Sequence, residues 1–158
     1  MAKILICYYS KSGNTKEMAE FIAEGVKQEN VEVTLKEVEE TEADEFLNYE
    51  GIILGSPTYY GACAAPIKEL VDDSVKHHGK LEGRVGGAFT SSANLAGGNE
   101  TVIMSLLQML MIHGMVVKGD PHGSHYGPVS VGSPDDRAKE ECIAYGVNLA
   151  KLTKKLFD

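Results

Sequence analysis

Short apolar runs alternate with helix-like patterns along the whole chain, and this alternation is what most limits the fold. The runs are rich in residues that favour β-strands and are each only a few residues long. Strand alternating with helix five times predicts an α/β fold, in which a parallel sheet lies between helix layers. We predict five strands, at Lys3–Tyr9, Val31–Val38, Gly51–Ser56, Arg84–Ser91 and Met115–Val117.

The segments between these runs have the apolar spacing of amphipathic helices. Asn14, followed three residues later by Glu17, indicates a capping pair at the start of the first helix. A second helix is predicted to start at Pro66 and to run through Ile67, Leu70, Val71 and Val75. For the last helix, Ser133 is the expected N-cap residue and Pro134 the first helical residue.

Three loops of unusual composition each follow a predicted strand directly. They are Ser10–Thr15 (SKSGNT), the loop that begins at Pro57 (PTYYGACAA), and the loop after the fourth strand (SSANLAGGN). In open parallel sheets, ligands bind outside the carboxyl ends of the strands, at the point where the strand order reverses. We therefore expect all three loops on one edge of the sheet, around one ligand.

The first loop has the chemistry of a phosphate site. Ser10, Ser12, Asn14 and Thr15 offer side-chain donors, Gly13 allows close backbone approach, and a helix N-terminus follows. The sequence G-x-x-x-x-G-K-[ST] of nucleoside triphosphate sites is absent, and no G-x-G-x-x-G follows the first strand. Nucleoside triphosphates and dinucleotides of the usual kind are therefore not the expected ligands.

The other two loops suit a flat, hydrogen-bonding ring. Tyr59 and Tyr60 present aromatic faces, or else they serve packing or subunit contacts. The third loop combines small residues with backbone donors. A phosphate at the first loop and a ring between the second and third describe flavin mononucleotide (FMN).

Composition excludes several other classes of function. The chain has 43% apolar residues, 24% charged residues and a formal charge of -8, which argues against binding to nucleic acid or anionic membranes. Neither a signal peptide nor a membrane-spanning stretch is evident. The chain is expected to form one domain, over residues 1–158, in the cytoplasm.

Cysteine and histidine provide no metal or nucleophile motif. Cys7 and Cys142 fall in predicted core positions, and an odd number of cysteines favours a reduced protein. The spacing of His122 and His125 is not typical of metal ligands, and no carboxylate or cysteine accompanies them as a further ligand. We predict no metal site and assign no catalytic side chain.

The sequence resembles the flavodoxin-like superfamily and, within it, the WrbA-type NAD(P)H:quinone oxidoreductases. The resemblance covers nearly the whole chain. It is carried by MAKILICYYS, GIILGSPTYYG, GRVGGAFTSS, AGGNETVIMSLLQMLMIHGM and HYGP. It implies a five-stranded sheet of order 2-1-3-4-5 with helices on both faces, FMN at the edge, and a homo-oligomer, a dimer or tetramer.

By position, the resemblance implies a set of FMN-contacting residues in the three loops. These are Ser10, Lys11, Ser12, Gly13, Asn14, Thr15, Pro57, Thr58, Tyr59, Tyr60, Gly61, Ser91, Ser92, Ala93, Asn94 and Gly97. The implied reaction is two-electron transfer from NADH or NADPH to a quinone or another redox acceptor.

Two alternatives remain open. The first is a flavodoxin-type one-electron carrier, which SKSGNT and the reduced chain length favour; Ser12 stands where WrbA-type proteins carry an aromatic residue. The second is an FMN-binding module with negligible turnover. His113 and Cys63 are without an assigned role.

Overall fold

The computed structural model describes residues 1–158 and contains six strands and four α-helices. The strands are β1 (Lys3–Tyr8), β2 (Glu32–Glu37), β3 (Gly51–Pro57), β4 (Val85–Ser92), β5 (Val116–Val117) and β6 (Val129–Val131). The helices are α1 (Asn14–Gln28), α2 (Ala65–Asp73), α3 (Asn99–Ile112) and α4 (Asp136–Phe157). Short 3₁₀ segments occupy Val38–Glu40, Ala43–Asn48 and Ser74–His77. All five predicted strands are present.

The strands form one parallel sheet of order β2-β1-β3-β4-β5, which confirms the predicted fold class. β1 lies between β2 and β3, so the strand order reverses between β1 and β3. β3 pairs with β4 over its full length, from Gly51 opposite Val85 to Pro57 opposite Ser91. The carboxyl ends of β1, β3 and β4 therefore meet at one edge of the sheet.

The fifth position of the sheet is shared by two short strands, and the sequence patterns predicted only the first. β5 pairs with the start of β4 at Val85 and Gly86, whereas β6 pairs with its end at Thr90–Ser92. The segment 118–128 leaves the sheet between them. β6 was missed because Gly127, Pro128 and Gly132 surround its two valines, so the sequence there has the composition of a turn.

Two apolar cores lie on the two faces of the sheet. One core packs α2 and α3 around Leu5, Leu54 and Ala88; the other packs α1 and α4 around Ile6, Ile53 and Phe89. Both Cys7 and Cys142 are fully buried, as predicted.

Glycines bring α1 and α4 into close contact on the second face. A Cβ atom at Gly146 would collide with the carbonyl oxygen of Ile22, and one at Gly25 would collide with that of Ile143. The backbones of the two helices therefore touch where these glycines face each other. Gly87 of β4 similarly makes room for Leu149 and Tyr145.

Three local predictions about the helices are wrong. α4 begins later than expected: Asp135 is its N-cap residue, and its carboxylate accepts a hydrogen bond from the Ala138 N–H at 2.8 Å. The predicted pair of Asn14 and Glu17 does not cap α1, because Gly13 occupies the N-cap position without a side chain. Val75 is 71% exposed, since α2 ends at Asp73 and a 3₁₀ segment follows. None of the helices is long and apolar enough to cross a membrane.

Candidate functional site

A cavity of about 480 Å³ lies at the edge where β1, β3 and β4 end. Each of the three predicted loops contributes to its wall. The lining residues are Lys11, Ser12, Asn14, Thr15, Pro57, Thr58, Tyr59, Ser91, Ser92, Ala93 and Gly132. The sheet topology thus brings together segments that are far apart in the sequence, from Lys11 to Gly132, as the rule for parallel sheets predicts.

The first loop presents unpaired backbone donors at the start of α1. Gly13 has φ +100°, a conformation open to glycine at little cost, and it turns the chain into the helix. The Ser10 hydroxyl accepts hydrogen bonds from the Gly13 and Lys16 N–H groups, both at 3.2 Å. The N–H groups of Asn14 and Thr15 have no partner within the chain, so they are available to an anion.

Pairs of hydroxyl groups tie the three loops to one another below the cavity. The hydroxyls of Thr15 and Ser91 lie 2.9 Å apart and join the first loop to the third. Those of Thr58 and Thr90 are also 2.9 Å apart and join the second loop to the end of β4. Because Thr15, Ser91 and Thr90 are buried, each bond is shielded from water and fixes the spacing of the loops.

The second loop contains a tight turn at the mouth of the cavity. Tyr59 and Ala62 exchange both backbone hydrogen bonds, at 2.9 and 3.0 Å. The two central residues have positive φ, +50° at Tyr60 and +74° at Gly61, which is the type I′ pattern. A tyrosine in this conformation is strained, and such strain is commonly found at functional sites.

Tyr59 is held by a neighbouring aromatic side chain. Its ring lies edge-on to the ring of Tyr9, with centroids 6.4 Å apart and planes at 78°. Partial burial, with a smaller contribution from Tyr9, raises the pKa of Tyr59. The Tyr59 hydroxyl is therefore neutral at physiological pH and presents an aromatic face and a hydrogen-bonding edge.

Ten of the sixteen predicted site residues line the cavity, and six do not. Ser10 and Gly13 shape the first loop from behind, as described above. Tyr60 projects fully into solvent, and Gly61 lies beside it in the turn. Asn94 and Gly97 lie on the exposed outer part of the third loop.

Sequence patterns missed Gly132 and Asn99. Gly132 lines the cavity because β6 runs beside the end of β4, and its N–H donates to the Ser92 carbonyl at 2.8 Å. Asn99, at the start of α3, donates from Nδ2 to the Ser92 hydroxyl at 3.3 Å. Asn99 could have been found from its place in GGNET, whereas Gly132 follows a strand that was not predicted.

His113 and Cys63 lie outside the cavity. His113 follows α3 at the opposite edge of the sheet, where its Nε2 is 2.8 Å from the Ser74 hydroxyl. Burial raises the pKa of the Cys63 thiol, which makes it a poor nucleophile.

The fold and this cavity define a class of protein: a doubly wound α/β protein with a loop of free backbone donors at the strand-order reversal. The chain belongs to the flavodoxin domain family, whose model matches residues 5–111.

Relatives within the family carry two different names. A flavodoxin of Aquifex aeolicus is 40% identical over 160 residues, covering 96% of this chain and 86% of that protein. An NAD(P)H dehydrogenase (quinone) of Archaeoglobus fulgidus is 30% identical, covering 99% of this chain and 100% of that protein. A WrbA-like flavodoxin structure from Agrobacterium tumefaciens superimposes with a TM-score of 0.84 at 25% identity, covering 99% of both chains.

Proposed function

We propose that the chain binds FMN and transfers electrons from NADH or NADPH to a quinone. The observation that carries the proposal is the cavity at the strand-order reversal, with free backbone donors at one end and Tyr59 at the other. The proposal also rests on family membership and on relatives named NAD(P)H dehydrogenase (quinone).

The donor set of the first loop fits a phosphate. Two unpaired N–H groups at the start of α1, the Ser12 hydroxyl and the Lys11 ammonium all lie on one loop of the cavity. A helix N-terminus and a nearby cation both favour negative charge. In the proposal, residues 10–15 hold the FMN phosphate.

The remaining predicted residues hold the rest of the cofactor. Residues 57–61 flank the flavin ring, and Ser91, Ser92, Ala93, Asn94 and Gly97 follow the ribityl chain and the ring's polar edge. The buried hydroxyl pairs set the distance between the phosphate end and the ring end. Bound FMN supplies the redox chemistry of the reaction.

The overall reaction converts NAD(P)H, a proton and a quinone into NAD(P)⁺ and a hydroquinone. We assign no side chain as a general acid or base. The protein's part is to bind and orient the cofactor and to leave its ring open to reactants at the mouth of the cavity, where Tyr59 is 40% exposed.

A one-electron carrier is the second candidate. The 40% identity to a flavodoxin favours it, as does Ser12 in the first loop. A binding module with negligible turnover is the third candidate. In all three, residues 1–158 form one flavodoxin-like domain, and the resemblance to WrbA-type proteins supports a homo-oligomer, which light scattering would test.

Anaerobic reduction of the FMN-reconstituted protein separates the candidates. We expect NADH or NADPH to reduce the protein and 1,4-benzoquinone to reoxidise it over many turnovers. An FMN-loaded protein that neither nicotinamide reduces would overturn the reductase. A redox titration with two well-separated one-electron steps would instead favour the carrier. A protein that cannot be loaded with FMN contradicts every candidate.

A further inference from the structure

Two segments that border the cavity are entirely uncharged. Residues 51–67 and 85–99 contain no Asp, Glu, Lys, Arg or His, although 24% of the chain is charged. Buried strands explain this within β3 and β4, but both segments continue into exposed loops at the cavity mouth. Loops are usually the most polar parts of a protein surface, so uncharged loops here need another explanation.

Large apolar side chains project from both of these loops. Tyr60 is fully exposed, Leu95 is 84% exposed and Tyr59 is 40% exposed. We call Tyr59, Tyr60 and Leu95 the apolar entrance. Exposing three large side chains on two loops that carry no charged residue is costly in water and typical of a surface that binds a partner or ligand.

The two loops that carry the apolar entrance are in contact. A Cβ atom at Gly98 would lie 2.8 Å from the Gly61 Cα and 3.4 Å from the Thr58 Cγ2. The close approach therefore requires glycine at residue 98. Residues with positive φ fix both loop tips, at Tyr60 (φ +50°) and at Ala96 (φ +52°), next to Leu95. The apolar entrance is thus part of a defined surface.

We propose that Leu95, together with Tyr60, contacts the electron acceptor and selects an uncharged planar ring over an anionic one. This inference rests on the proposed function and assigns a specificity role to the loop tip 95–96, beyond the predicted FMN contacts. A neutral ring gains apolar contact at the entrance, whereas an anionic group finds no cation in either loop. The bound quinone accepts two electrons, supplied by the nicotinamide donor, and two protons to become the hydroquinone.

Equilibrium binding to oxidised holoprotein, without a nicotinamide donor, tests the inference directly. The two probes are neutral 2-(hydroxymethyl)-9,10-anthraquinone and anionic 9,10-anthraquinone-2-sulfonate, which share one ring system, differ in charge and do not alkylate the protein. Dissociation constants are measured by NMR titration of the leucine methyl groups. The variants are Leu95→Gln and Leu95→Lys, with Leu156→Gln as a control at an exposed leucine near the end of α4.

We expect the neutral probe to bind more tightly than the sulfonate and to shift the Leu95 methyl signals. Leu95→Gln should weaken binding of the neutral probe about tenfold. Leu95→Lys should tighten binding of the sulfonate, and Leu156→Gln should change neither constant. The flavin absorbance spectrum should be the same in all four proteins, because Leu95 is not a predicted cofactor contact.

Several results would overturn the inference. Equal affinities of the wild type for the two probes would show that the entrance does not select against charge. An unchanged dissociation constant for the neutral probe in Leu95→Gln would show that Leu95 does not contact the quinone. If quinone turnover persisted in either case, the proposed function would still stand. If the FMN-loaded protein bound no quinone and exchanged electrons only with a protein partner, both this inference and the quinone reaction would be overturned.

Discussion

The two ends of the cavity have opposite chemistry. Ser10–Thr15 is donor-rich, carries Lys11 and opens a long helix, whereas Tyr59, Tyr60 and Leu95 form an uncharged apolar surface. Hydroxyl pairs join the two ends rigidly, at 2.9 Å between Thr15 and Ser91 and between Thr58 and Thr90. A site built in this way can hold a charged group at one end and leave a flat group open to reactants at the other.

The difference has a sequence origin. The first loop adds hydroxyl and ammonium donors to a helix N-terminus, which itself favours negative charge. The entrance loops need no donors toward solvent and can expose apolar groups. Mutations in Ser10–Thr15 should therefore affect mainly the binding of the cofactor's phosphate, and mutations at Leu95 should affect mainly the reactant.

A carboxylate at the donor-rich end should give the largest effect. Ser12→Glu places a negative charge beside the proposed phosphate, and the repulsion should lower FMN affinity about a hundredfold or more at low salt. Ser12 is exposed, so the protein should still fold. Fluorescence titration of apoprotein with FMN measures the loss.

Leu95→Glu is the matched control, because it adds the same charge at the apolar entrance. Its FMN affinity should fall far less than that of Ser12→Glu. Equal losses in the two variants would mean that only net charge matters, and that the two ends do not differ.

Removing a buried hydroxyl that joins the ends should have the next largest effect. Thr15→Val leaves the Ser91 hydroxyl without its partner in a buried place, which should lower the free energy of unfolding by about 1–3 kcal/mol. Urea unfolding of Thr15→Val, Ser91→Ala and the double variant measures the coupling. Strictly additive losses would show that the pair contributes nothing as a pair.

A titratable group at the opposite edge of the sheet should affect stability without affecting the cavity. Ser74 Oγ donates to the Val71 carbonyl at 2.6 Å, so it accepts from the His113 Nε2–H, and Nδ1 is left buried without a partner. Burial, with the nearby His78 and His77, lowers the pKa of His113. Below about pH 6.5, the ordinary pKa of a histidine side chain, the unfolded chain therefore binds more protons than the folded chain.

Stability should accordingly fall as the pH drops below about 6.5, by at most about 1.4 kcal/mol per pH unit for this single proton. The loss should be complete once the pH is below the lowered pKa of the folded state. Urea unfolding of the wild type and of His113→Gln checks this, because the variant should lose that part of the pH dependence. At each pH in this range, the wild type and His113→Gln should bind FMN with equal affinity.

Relief of strain at the entrance should give the smallest effect, and it has the opposite sign. Asparagine is favoured at the first central position of a type I′ turn, so Tyr60→Asn should raise the free energy of unfolding by about 0.5–1 kcal/mol. It should also weaken quinone binding, since an apolar contact is lost. A variant that is less stable than the wild type would show that Tyr60 supports the fold instead of the reactant.

The sequence allowed the sheet and the position of the cavity to be predicted, because both depend on patterns that repeat over many residues. Alternating strands and helices specify the parallel sheet, and polar loops after β1, β3 and β4 then fall on one edge. Helical spacing is a pattern of the same kind: Val102, Ile103, Leu106, Leu107 and Leu110 repeat along one face of α3, and all five are buried.

Features that depend on single contacts were not predictable in this way. The start of α4 depends on whether Ser133 or Asp135 caps it, and both residues suit that position. Gly132 enters the cavity only because the fifth strand is divided into β5 and β6. The hydroxyl pairs join residues far apart in the chain, such as Thr15 and Ser91, and local sequence patterns contain no information about such distances.

The comparison of FMN with riboflavin, which lacks only the phosphate, tests the central claim most directly. Both are titrated into the same apoprotein and into Ser12→Glu. If Ser10–Thr15 binds the phosphate, the wild type should bind FMN at least a hundredfold more tightly than riboflavin, and Ser12→Glu should remove most of that difference. Equal affinity of the wild type for the two flavins would contradict the account.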